Sequence, residues 1–204
     1  MLINIMSIYS DKRISTKQRL SMLKNSTTHY GWVSIGIHWL MALFVIGMFA
    51  LGLYMVELTY YDSWYRGSLD LHKSIGILLL FCLGFRIFWR LINITPEVAD
   101  KNSPKLEALS ASIAHLLLYV LMAVLMLSGY LISTADGRSI YVFEFIEIPA
   151  LTFAFENQED IAGLIHEIIA WALIVLASVH ALAALKHHFI TKNNTLIRML
   201  SIKH

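Results

Sequence analysis

Two histidines in one apolar stretch are the first residues of this chain whose spacing suggests chemistry. His166 and His180 share Ile161–Leu185, which reads IAGLIHEIIAWALIVLASVHALAAL. They lie fourteen residues apart, close to four helical turns. Both rings therefore project from nearly one face of a helix, separated by roughly 21 Å at about 1.5 Å per residue. An imidazole in hydrocarbon is costly unless it has a partner or a job. Two on one face, at two depths, are placed to ligate two metals.

The elements that must supply the partners follow from composition. Hydrophobic residues make up 57% of the 204 residues and charged residues 15%, against about 25% charged in soluble domains. Four apolar segments approach the roughly 20 residues of a spanning helix: Val33–Val56, Leu71–Ile92, Ala111–Ile132 and Ile161–Leu185. Lipid offers no hydrogen bonds to the backbone, so each should be a helix. The predicted fold is an all-α integral membrane protein, a bundle of four transmembrane helices. Residues 1–30 read as a polar, basic, loosely ordered cytoplasmic tail without a signal-peptide core. Residues 31–200 form the membrane domain, and residues 201–204 a C-terminal tail.

Loop charge sets the orientation. Lys12, Arg13, Lys17, Arg19, Lys24, Arg86, Arg90, Lys101, Lys105, Lys186, Lys192, Arg198 and Lys203 fall on one side, with only Arg66, Lys73 and Arg138 on the other. The second side carries nine acidic residues, from Glu57 to Asp160. Both termini should be cytoplasmic, in a multi-pass membrane protein. The 134–160 linker reads as an amphipathic lid on the outer surface, a cover for an outer cofactor edge or a docking face.

Depth now pairs the histidines. His38 lies near the inner end of helix 1 and His180 towards the inner end of helix 4. His72 lies at the outer end of helix 2 and His166 near the outer end of helix 4. Each pair offers two imidazoles to one iron. The single cysteine, Cys82, excludes an internal disulfide, a CxxCH haem attachment and a cysteine zinc site. Zinc usually takes three or four clustered ligands, whereas two histidines per level suit a haem held without covalent links. Small residues one turn from each ring leave room for a porphyrin plane: Ser34 and Ala42, Ser68 and Gly76, Ala162 and Ala170, Ala177 and Ala184. Small residues also mark ordinary membrane helix contacts, and a lone membrane histidine is often just an interhelical hydrogen bond. Four matched in depth favour two b haems.

The chain resembles the bacterial di-haem cytochrome b561 family in IGIHWL around His38, LHKSIGILL around His72, IAHLLLYVLM around His115, LIHEIIAW around His166, and VHALAALKHHFI followed by TKNNTLIRML. GYLISTADGRSI after helix 3 is similar to one subgroup. The resemblance covers about Tyr30 to Leu200. It implies the same pairing, with His38 and His180 on the inner haem iron and His72 and His166 on the outer. It also implies transmembrane electron transfer with membrane quinone as mobile redox partner on the cytoplasmic side. Some members are similar to superoxide oxidases. The N-terminal tail is longer than in compact members.

Other residues could serve this chemistry. His115, His187 and His188 are candidates for a quinone or propionate site. Arg86 and Lys73 are candidate haem-propionate contacts, and Arg138 is a further one. Arg90 reads as an inside anchor, and Glu167 as an acceptor for an outer histidine N–H or a snorkelling residue. The outer partner could be a periplasmic redox protein or a small-molecule reductant, the latter making the chain a superoxide:quinone oxidoreductase. A third reading is the haem-bearing membrane anchor of a dehydrogenase complex. No nucleic-acid partner is expected.

Overall fold

Each apolar stretch forms one helix in a computed structural model that describes residues 22–97, 104–151 and 155–200. Helix α1 spans Trp32–Val56, α2 Tyr65–Ile92, α3 Lys105–Ser133 and α4 Gln158–Phe189. All four are long and apolar enough to cross a membrane, so the chain is a multi-pass membrane protein built as a helix bundle. The helices outrun the apolar segments, most clearly at the starts of α2 and α3. Hydropathy marks only the hydrocarbon, whereas backbone hydrogen bonding continues through the interface. Glu159 and Asp160 in the first turn of α4, with Lys186, His187 and His188 in its last, oppose the helix dipole.

Packing within the bundle is confined to a narrow interior. Met41, Leu79, Leu83, Met122, Met126 and Leu173 form the central apolar cluster. Leu43, Ile46, Val175 and Leu182 point outward and are exposed, as a lipid-facing surface requires. The most extensive seam joins α3 to α4. By contrast, α4 stands off from α1 and makes still less contact with α2. The partners expected for the α4 histidines lie across that gap.

The outer linker adds a feature to the helical reading. Strands β1 (Ile140–Val142) and β2 (Ile146–Ile148) pair antiparallel, with Val142 opposite Ile146. Ile140 and Val142 bury against Ile77 of α2, with Tyr130 and Ile148 packed around them. The turn places Phe143 at φ 48° and Glu144 at φ 66°, the left-handed region that costs a residue with a Cβ about 1–2 kcal/mol. The Phe143 N–H donates to Ser74 Oγ at 3.0 Å, fixing the turn to α2. The hairpin within the linker is thus packed against the bundle.

The inner end is closed by chain termini. Residues 1–21 of the predicted tail lie outside the described residues, as do residues 201–204. The described end of the tail is anchored. Asn25 Oδ1 accepts from Gly31 N at 2.9 Å and Ser34 Oγ at 2.7 Å, and Asn25 Nδ2 donates to Ile94 O at 2.7 Å. A side chain at Gly31 would collide with the Leu23 carbonyl oxygen, so only glycine admits this approach. A short helix α5 (Ile197–Leu200) follows α4. The adjacent Met199 carbonyl accepts from Trp39 Nε1 at 2.7 Å.

Candidate functional site

The structure brings the four histidines together two by two. His38 of α1 and His180 of α4 have ring centres 6.4 Å apart, with planes at 69°. His72 of α2 and His166 of α4 have ring centres 6.2 Å apart, with planes at 65°. Two imidazoles on opposite sides of one metal, at metal–nitrogen distances of about 2.0–2.1 Å, have ring centres roughly 6.3 Å apart. Both pairs match that span. Each bridges the gap between α4 and the helix facing it. Among the described residues, no three His, Cys, Asp or Glu side chains converge on a bare-ion site. Paired imidazoles in an apolar slot fit a b-type haem iron.

Hydrogen bonding at the outer level is consistent with that fit. His166 Nδ1 lies 2.9 Å from the Leu125 carbonyl of α3. A carbonyl only accepts, so Nδ1 carries the proton and Nε2 keeps its lone pair for a metal. Ser128 Oγ stands 3.2 Å from the same nitrogen and donates to the same carbonyl at 2.9 Å. The ring reaches the backbone because position 129 is glycine: a Cβ there would lie 3.0 Å from His166 Cε1 and 3.3 Å from Nδ1. Opposite, His72 Nδ1 is buried without a hydrogen-bond partner, and Gly52 of α1 faces its Cε1 with room for ordinary contact. The role considered for Glu167 is taken by the Leu125 carbonyl, and Glu167 itself is exposed.

The inner level is held differently. Arg86 of α2 reaches His38 Nδ1 through Nη2 at 3.0 Å and Tyr119 Oη through Nε at 3.0 Å. A guanidinium only donates, so His38 Nδ1 is the acceptor here. Arg86 was expected at a haem propionate; in the structure it ties α1 to α3 through two neutral partners. His115 approaches His180 to 5.2 Å between ring centres, short of the span of two imidazoles on opposite sides of one metal, and stands as a third imidazole beside the pair. Tyr119, one turn from His115, receives Arg86 over its ring at 5.5 Å and Arg90 at 5.7 Å.

The structure separates the two terminal histidines. His187 Nε2 lies 3.5 Å from Glu107 Oε1 of α3, its Nδ1 lies 3.2 Å from Asn193 Nδ2, and Lys186 Nζ reaches the same Glu107 oxygen at 2.9 Å. His188 contacts the neighbouring Phe189 ring. On the outer side Lys73 lines a cavity of about 490 Å³ with Ser133, Asp136, Arg138, Ser139 and Tyr141. Arg138 Nε donates to Asp136 Oδ2 at 2.6 Å, and this bond holds the Asp136 carboxyl below the usual carboxylate range.

Sequence reasoning missed Ser128, Gly129, the Leu125 carbonyl and Tyr119. The adjacent Ser–Gly in α3 was the available signal for the first three, because a small pair permits close helix approach. Tyr119 could have been found from its four-residue spacing to His115.

Comparison with known proteins gives one consistent result. The model of the prokaryotic cytochrome b561 family matches residues 29–201. "Cytochrome b561 homolog 2" of Escherichia coli (strain K12) is 49% identical over 176 residues, covering 86% of this chain and 93% of that protein. "Probable superoxide oxidase CybB" of Yersinia pestis is 33% identical over 179 residues, covering 85% and 97%. "Cytochrome b561 homolog 1" of E. coli is 30% identical over 174 residues, covering 81% and 93%.

Proposed function

This chain belongs to the prokaryotic cytochrome b561 family, and from that premise we propose that it holds two b haems at two depths and exchanges electrons with membrane quinone. Its work is electron transfer in the membrane, and it binds b-type haem. The observation that carries the two-haem reading is the repeated ring separation, 6.4 Å and 6.2 Å, along the single helix α4.

Bound haem supplies reversible one-electron chemistry at its iron; the chain's residues set where and in what surroundings. His38 and His180 are the inner ligands, and His72 and His166 the outer. Leu125 and Ser128 orient His166. Arg86 and Lys73 are the cations offered to propionates at the inner and outer levels. His115 stands beside His180 as a donor to a quinone or propionate. His187, with Glu107 to exchange a proton and Asn193 to fix its ring, is better placed than His188 to serve an inner quinone. Loop charges orient both termini to the cytoplasm of a bacterial inner membrane. The outer face then meets a periplasmic redox partner or a small reductant.

A reduced-minus-oxidised spectrum with haem quantified per polypeptide tests this reading. Two haems with b-type bands are expected. One haem would leave one pair structural, and none would return the histidines to helix packing.

A second reading rests on the outer cavity. Lys73 in its lining, beside the paired Arg138 and Asp136, suits a small anionic reductant such as the superoxide named for the Y. pestis relative. Fast reduction of the purified chain by superoxide, with no protein partner present, would favour it over the shuttle.

A further inference from the structure

Two guanidinium groups crowd one tyrosine at the inner end, and among the described residues neither meets an anion. Arg86 is half-buried inside α2, and Arg90 follows one turn later in its last turn. Arg86 bonds only neutral groups, namely His38, Tyr119 and, through Nη1, the Met41 sulfur at 3.9 Å. Arg90 contacts the Tyr119 ring face. The ion pairs among the described residues lie elsewhere, at Asp136 and Glu107. A cation inside a membrane span is expensive without a counter-charge. Two of them four residues apart on one helix also repel each other. Anchoring at the membrane surface accounts for Arg90 taken alone. It does not account for Arg86, which lies about 9 Å further in than the end of α2 at about 1.5 Å per residue, nor for both turning onto Tyr119 rather than outward.

We infer that Arg86, Arg90 and Tyr119 form one clamp for a pair of carboxylates, and that its occupant is the propionate edge of the inner haem. This rests on the two-haem reading and extends it to two residues outside the ligand set. Each planar guanidinium can grip one carboxylate with two parallel N–H donors. The Tyr119 ring contacts both guanidinium groups, and its hydroxyl, which accepts from Arg86 Nε, keeps its own O–H to donate. Arg86 would exchange its neutral contacts for a charged one. The outer level lacks this arrangement, because its Arg138 is already tied to Asp136.

The test uses the full chain, produced without haem and titrated with iron protoporphyrin IX or with its dimethyl ester, which has the same ring and no free carboxylates. Inner-level binding is read by its optical band, with the outer level as internal control. Arg90→Gln should weaken inner binding of the free-acid cofactor about tenfold, the scale of one charge-assisted hydrogen bond. It should leave binding of the diester unchanged. Arg90→Lys should recover part of the loss, and Tyr119→Phe should show a smaller loss with the same cofactor dependence. Equal weakening for both cofactors, or no effect of Arg90→Gln on either, would overturn the clamp while leaving the haems in place. A wild-type chain that takes up neither cofactor would overturn the two-haem reading itself. The diester comparison on wild-type protein stands even if a variant fails to fold.

Discussion

The outer and inner histidine pairs have nearly equal ring separations, yet they are braced by opposite means. At the outer level the α4 ring donates to a backbone carbonyl, reached through a notch made by Ser128 and Gly129. At the inner level the α1 ring accepts from the charged side chain of Arg86. A backbone carbonyl cannot be mutated away or re-aimed, and it dictates the protonation of its partner. An arginine can be recruited by a second anion. The outer α4 ring is thus held in a fixed geometry. The inner one is coupled to whatever binds Arg86.

The strongest way to break the comparison is to remove one ligand. His180→Ala should reduce the haem content from two per chain to one, with the outer band intact, and His166→Ala should do the reverse. Loss of both bands in either variant would mean that the levels are not independent. Next in size, Gly129→Ala forces a Cβ to within 3.0 Å of His166 Cε1. Overpacking of this kind costs about 1–3 kcal/mol. The outer haem should show a displaced axial ligand by electron paramagnetic resonance while the inner signal stays unchanged. Arg86→Gln removes a positive charge beside the inner pair. A nearby cation favours the electron-richer state, so the inner midpoint potential should fall in a potentiometric titration with the outer held constant. Smallest, Ser128→Ala should cost about 0.5–1.5 kcal/mol and barely move the outer spectrum, because the Leu125 carbonyl still takes the proton. A large spectral change would move the bracing from backbone to hydroxyl.

Much of this difference was invisible before the helices were placed side by side. The spans could be read because lipid imposes composition and length on every turn. The pairing of His38 with His180 and of His72 with His166 could be read because helical rise converts residue number into depth. What sequence position cannot convey is which neighbouring helix a face meets. The Gly129 notch exists only where α3 lies against α4. His187 and His188 are adjacent in sequence, and only the position of Glu107 on α3 separates them. Arg86 was expected to meet an anion, but its contact with Tyr119 depends on how α2 is turned. The β-hairpin was hidden for a different reason. Its turn uses Phe143 and Glu144 where asparagine and glycine would signal a left-handed pair, and contact with α2 offsets the conformational cost.

That contact also has a consequence for how the protein is made. Ser74, which fixes the turn, precedes Phe143 by 69 residues. At about 5–20 residues per second, the ribosome delivers the two roughly 3–14 s apart. The hairpin cannot settle until α2 has been inserted and α3 laid beside it, so it is among the last parts of the outer end to close. A newly synthesised chain therefore passes through a stage in which α2 is in the membrane while the hairpin that packs on its Ser74 and Ile77 has yet to form.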